Sequence, residues 1–121
     1  MKKPANDAVR LLTGALALLE RRGGWCKYVL ARDKHGGYAE IHQPEATAFC
    51  ARGALMRVVA GVPGMYLGAP AYHKAETALE AELHSGWYSI ANFNDAPATR
   101  KRDVLALYRR AIAADAAAVG S

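Results

Sequence analysis

The chain has 121 residues, of which 52% are hydrophobic and 22% charged, and it carries a net charge of +5. That length suits a single domain, spanning 1–121, which can bury roughly two-thirds of its unfolded surface without disulfide or metal staples. The composition excludes a disordered chain, and no apolar run reaches the roughly 18 residues that a membrane span needs.

The first seven residues include Lys2 and Lys3 but are followed by no continuous apolar stretch. Leu11 to Leu19 is amphipathic and runs into Glu20, Arg21 and Arg22, which predicts a helix over 7–22 and not an export signal. The expected location is therefore the cytoplasm of a bacterial cell, and 26 alanines suit a GC-rich genome. Ala8, Leu11, Leu12, Ala15, Leu18 and Leu19 recur at three- and four-residue spacing and share one face. Asn6 or Asp7 is the expected cap and Gly23-Gly24 the stop.

Residues 25–42 read as a short β-hairpin. Trp25, Tyr28, Val29 and Leu30 favour one strand, Tyr38 and Ile41 the other, around a turn at 33–37. Pro44-Glu45 opens a predicted second helix that runs to Ala60 and is expected to be central. Gly53 inside it costs about 1 kcal/mol against alanine, which predicts close approach of another backbone. Residues 61–70, with three glycines and two prolines, form a loop. A third helix follows over 71–84, with Tyr72, Ala75, Leu79 and Leu83 inward.

Residues 87–98 read as irregular, with Asn94 or Asp95 capping the turn into a fourth helix over 99–118. That helix has a buried stripe of Val104, Leu107, Tyr108 and Ala111, and an unusual charge pattern. Arg100, Lys101 and Arg102 occupy its first turn, where the helix dipole is already positive. Residues 97–110 hold five basic groups, the others being Arg109 and Arg110, against Asp103 alone, a net of +4. The fold expected is mainly α, or α+β with minor β. About four helices pack around one core, with a short β-hairpin between helices 1 and 2.

Several stretches together resemble a known family. They are Gly-Trp-Cys at 24–26, Ala-Arg-Asp before the glycine turn at 31–37, Phe-Cys-Ala-Arg-Gly-Ala-Leu at 49–55, Phe-Asn-Asp at 93–95, and the helix from Thr99 through Asp103-Val104-Leu105-Ala106-Leu107. Their order and spacing resemble a family of small uncharacterised bacterial proteins, common in actinobacteria and their phages, that is known only as a domain of unknown function. The family pattern has tryptophan before Asn-Asp where this chain has Phe93. The resemblance implies no activity, cofactor or catalytic residue. It draws attention to Trp25, Cys26, Cys50, Gly53, Asn94 and Asp95.

Three chemistries compete with a purely structural use of these residues. Cys50 could be a nucleophile if His42, His73 or His84 activated it and Asn92 or Asn94 oriented that histidine. A buried small hydrophobe is the favoured reading, because Cys50 is expected one to two turns inside a helix. Cys26, His42 and Cys50 plus another histidine could be recruited to zinc, but no tight Cys-x2-Cys or His-x3-His pair is present. The basic fourth helix could take an anion or a phosphate backbone, against the alternative of a solvated face.

The reading that follows is a small non-enzymatic interaction or regulatory module, phage- or mobile-element-encoded, without cofactor. It would bind an acidic protein surface or nucleic acid through Arg100, Lys101, Arg102, Arg109 and Arg110, assisted by Trp87, Asn92, Asn94 and Asp95. A thiol-dependent enzyme using Cys50, His42 and Asn94 is the first rival, and a metal-binding domain the second.

Overall fold

The computed structural model of the protein describes residues 7–120. Among them are five helices, α1 (Asp7–Glu20), α2 (Ala51–Ala60), α3 (Pro70–Ala81), α4 (Ile90–Asp95) and α5 (Lys101–Gly120). Two short strands, β1 (Ala31–Arg32) and β2 (Ala48–Phe49), pair antiparallel between α1 and α2. The fold is thus mainly helical with a small β element, as the sequence predicts. Asn6, one of the two candidate caps of the first helix, lies outside the described residues.

α1 buries Ala8, Leu11, Leu12, Ala15 and Leu19, the predicted face without Leu18. It packs on α2, α3 and α5 together and so holds the centre expected of the second helix. α2 is shorter than predicted, although half of its ten residues are buried. Val104, Leu107, Tyr108 and Ala111 of α5 close the core against α1 and α3. Tyr108 is fully buried, and its hydroxyl donates to Ala51 O at 2.6 Å.

Two boundaries differ from expectation, for reasons of long-range bonding. The turn at 33–37 forms, with Asp33 Oδ1 accepting from the backbone N–H groups of His35 and Gly37. The predicted pairing across it is reduced to a bridge between Arg32 and Tyr38, while Ala31 and Arg32 take Phe49 and Ala48 as their strand partners. The predicted strand over 25–30 is interrupted by Tyr28, whose φ of +75° is incompatible with a strand.

The second helix does not begin at Pro44. Residues 43–46 form a turn, and Phe49 and Cys50 spend their N–H groups on Gly24 O at 2.9 Å and Leu30 O at 3.1 Å. Those bonds hold 48–50 extended, and helix geometry starts only after Cys50. The segment over 87–98, expected to be irregular, contains α4, capped by Ser89 Oγ accepting from Asn92 N at 3.0 Å.

Candidate functional site

Asn94 is the buried polar centre of the molecule, with none of its surface exposed. Its Oδ1 accepts from Trp25 Nε1 at 2.7 Å and from Ala51 N at 2.9 Å. Its Nδ2 donates to Cys26 O at 3.1 Å and to Asp95 Oδ1 at 2.9 Å. The first two partners can only donate and the carbonyl can only accept, so the amide has one possible orientation. Asn94 therefore caps α2, 43 residues before it in sequence. The expected cap of the last helix is supplied instead by Asp103, whose Oδ2 accepts from Arg100 N at 2.8 Å.

Cys50 is the N-cap of α2, not a residue inside it, and its Sγ accepts from Gly53 N at 3.2 Å. A helix N-terminus lowers a thiol pKa, but here burial prevails and pushes Cys50 up. Cys26 is pushed up to about 11, first by burial and then by the neighbouring Cys50. Both thiols are free. His42, His73 and His84 are exposed, and none bonds to Cys50 among the described residues. Asn94, the proposed orienting amide, is committed to the four bonds above. Among the described residues no group of three or more His, Cys, Asp or Glu side chains is placed to hold a metal, so Cys26, His42 and Cys50 do not converge.

Gly53 shows the close approach its position predicts. A Cβ there would lie 2.1 Å from Leu30 O, so the chain entering β1 rests directly on the first turn of α2.

The cationic residues lie apart from the Asn94 network, at two helix ends. Lys101 Nζ donates to Arg21 O at 2.6 Å and more distantly to Glu20 O at 3.5 Å, capping the negative end of α1 with a charge carried by α5. Arg109 adds an ion pair with Glu20 at 2.8 Å. These bonds tie the end of α1, which Arg21 and Arg22 follow, to α5, whose start carries Arg100, Lys101 and Arg102. The two helix ends carry six cations, counting Arg109, and two carboxylates, Glu20 and Asp103, a net of +4. Among the described residues, the side chains of Arg21, Arg22, Arg100 and Arg102 meet no carboxylate and are exposed. Arg110 turns away to α3, where it reaches the Glu82 carboxylate at 3.8 Å and Glu82 O at 3.3 Å.

The same end carries the segment that leaves α1. Lys27 Nζ donates to Ala96 O at 2.6 Å and lies 5.6 Å from the centre of the Trp25 ring. Tyr28 N donates to Asp95 Oδ1 at 2.9 Å, and Tyr28 is 69% exposed. In the aromatic loop expected to help in binding, Trp87 is half-buried while Asn92 and Tyr88 are exposed. Trp87 packs edge-to-face on Phe93 at 5.5 Å, and Asn92 Oδ1 accepts from Tyr88 N at 3.4 Å. Arg21, Arg22 and Tyr28 are absent from the predicted site residues because the adjacency of the α1 and α5 ends is a tertiary fact. The one available signal for Tyr28 was its place between the glycine stop of α1 and a short strand.

No helix among the described residues is long and apolar enough to cross a membrane. Residues 3–114 match the family profile DUF6197, described as a family of unknown function, and the chain belongs to that family. No curated protein and no solved structure shows significant similarity to it.

Proposed function

For this member of DUF6197 we propose a non-enzymatic role as an interaction module whose basic end binds the phosphate backbone of a nucleic acid. The observation that supports this reading is the convergence of the C-terminus of α1 on the N-terminus of α5. It gathers a net +4 in which four arginines have no acidic partner among the described residues. Ion pairs within the fold relieve that crowding only in part. Phosphate oxygens supplied from outside would complete it, because each guanidinium presents a fork of donors matched to phosphate. The raised thiol pKa values and the lack of a histidine on Cys50 weigh against the thiol enzyme.

The test is fluorescence anisotropy with labelled duplex DNA, single-stranded DNA and RNA over a salt series. Wild type should bind in low salt and weaken as salt rises. Arg100→Ala/Arg102→Ala should bind more weakly, with a salt slope shallower by roughly 0.7–0.9 for each phosphate that is no longer neutralised. Arg21→Ala/Arg22→Ala should behave alike, since the reading puts both pairs on one surface. Absence of binding to all three ligands at low salt would reject the reading and leave an acidic protein surface as the ligand to test.

A further inference from the structure

We propose that Tyr28 is a stacking platform for an unpaired base, so that the ligand of the basic end is a single strand rather than a duplex. This rests on the nucleic-acid reading above and narrows it.

Among the described residues Tyr28 is the single non-glycine residue with positive φ, at +75°. A side chain in that region is unfavourable, and glycine adopts it freely. Packing of the side chain does little to offset the strain, because Tyr28 is 69% exposed and its hydroxyl makes no hydrogen bond among the described residues. The backbone is instead clamped on both sides of one peptide group. Lys27 O accepts from Arg32 Nη2 at 3.2 Å, and Tyr28 N donates to Asp95 Oδ1 at 2.9 Å. Asp95 is itself held by Asn94 Nδ2 at 2.9 Å. The preceding side chain is anchored too, by Lys27 Nζ on Ala96 O at 2.6 Å.

A fixed peptide in a strained conformation therefore carries an aromatic ring into solvent. Strain that surrounding bonds hold in place, with no gain to the fold from the side chain, is the pattern of a binding position. The ring stands on the segment joining the end of α1 to β1. Tyr28 follows Lys27, and the two residues are tied to Asp95 and Ala96, which precede the basic first turn of α5 in the chain. Exposed aromatics beside a row of cations are how proteins grip single strands without reading sequence, since every base has a face to stack. Bases inside a duplex are stacked on each other and offer no such face. The peptide that carries the ring is already held, so stacking has only the side chain to order.

The experiment compares wild type, Tyr28→Gly and Tyr28→Phe for binding to a labelled oligothymidine and to a duplex of the same length, with melting temperatures recorded in parallel. Tyr28→Gly should melt at or above wild type, because glycine relieves the positive φ. It should bind the single strand about 5- to 100-fold more weakly, with the salt slope unchanged. Tyr28→Phe, which keeps the stacking face, should bind like wild type. Tyr28→Gly binding the single strand within about twofold of wild type would overturn the proposal. So would a Tyr28→Gly protein that melts lower than wild type, which would make the ring part of the fold. If Arg100→Ala/Arg102→Ala loses binding while Tyr28→Gly keeps it, stacking is wrong and the basic-end reading stands. If wild type binds no nucleic acid, the underlying reading fails and stacking fails with it.

Discussion

Replacing Asn94 by alanine is the most informative perturbation of this fold. The side chain is fully buried and joins three segments, with Trp25 and Cys26 after α1, Ala51 at the start of α2, and Asp95 within α4. Alanine leaves Ala51 N and Cys26 O without partners in the interior, and an unpaired buried polar group costs about 1–3 kcal/mol. The Trp25 indole is half-buried and can turn to water, so its loss adds little. The expected cost is therefore about 2–5 kcal/mol, a large share of the roughly 5–15 kcal/mol that stabilises a domain. Urea unfolding followed by the fluorescence of Trp25 and Trp87 reads this directly as a fall in midpoint at constant m. Asn94→Asp supplies the control. It keeps an acceptor for Trp25 and Ala51, removes both donors, and sets a second carboxylate against Asp95. It should be destabilised at neutral pH and recover part of the loss in mild acid, where protonation restores a donor to Cys26 O. A cost for Asn94→Ala below about 1 kcal/mol, with m unchanged, would mean water or neighbouring groups satisfy these atoms and the network is not what fixes the fold.

Two further outcomes follow from packing and burial. Gly53→Ala should destabilise by about 1–3 kcal/mol even though alanine is the better helix former by about 1 kcal/mol, because the new Cβ would sit 2.1 Å from Leu30 O; a urea midpoint at or above that of wild type would refute the close approach. Stability should also fall in alkali. Cys26 is raised from 9.0 to about 11 and Tyr72 from 10.0 to about 12, so from about pH 9 the unfolded chain releases protons that the native state retains. The stabilisation is complete below pH 9 and lost progressively up to about pH 12. Iodoacetamide should accordingly label neither thiol in the native protein at neutral pH and both in urea. Rapid native labelling of Cys50 would restore the thiol-enzyme reading.

How much of this could be read from the chain depends on the range of the interactions concerned. α1, α3 and α5 are long enough for periodicity to show their faces, and their predicted stripes are the buried ones apart from the half-buried Leu18 and Leu83. Gly53 was legible as well, since a glycine inside a helix has a cost that only a close neighbour explains. The start of α2 was not. Pro44-Glu45 has good local chemistry for a helix start, but the bonds from Phe49 to Gly24 and from Cys50 to Leu30 decide the boundary. α4 spans only six residues and cannot show a helical period. Asn94 looked like a local cap because nothing in its neighbourhood indicates a partner at Ala51. The cationic site was half visible. Its α5 members stand together in sequence, whereas Arg21 and Arg22 join them only once Lys101 reaches the end of α1.

The buried centre and the exposed end are joined through one carboxylate. Asn94 Nδ2 orients the Asp95 side chain, and the same Oδ1 atom then receives Tyr28 N. The amide that starts α2 thus also sets the strained peptide that holds the exposed ring. The dependence runs one way. Removing the Tyr28 ring leaves every Asn94 bond in place, whereas removing the Asn94 amide releases Asp95 and with it the clamp on Tyr28. Lys101 and Arg109 likewise join α5 to α1, bringing together two helix ends that are rich in arginine. The backbone that carries these arginines is fixed by bonds between α1 and α5, so binding at this end would have only exposed side chains to order.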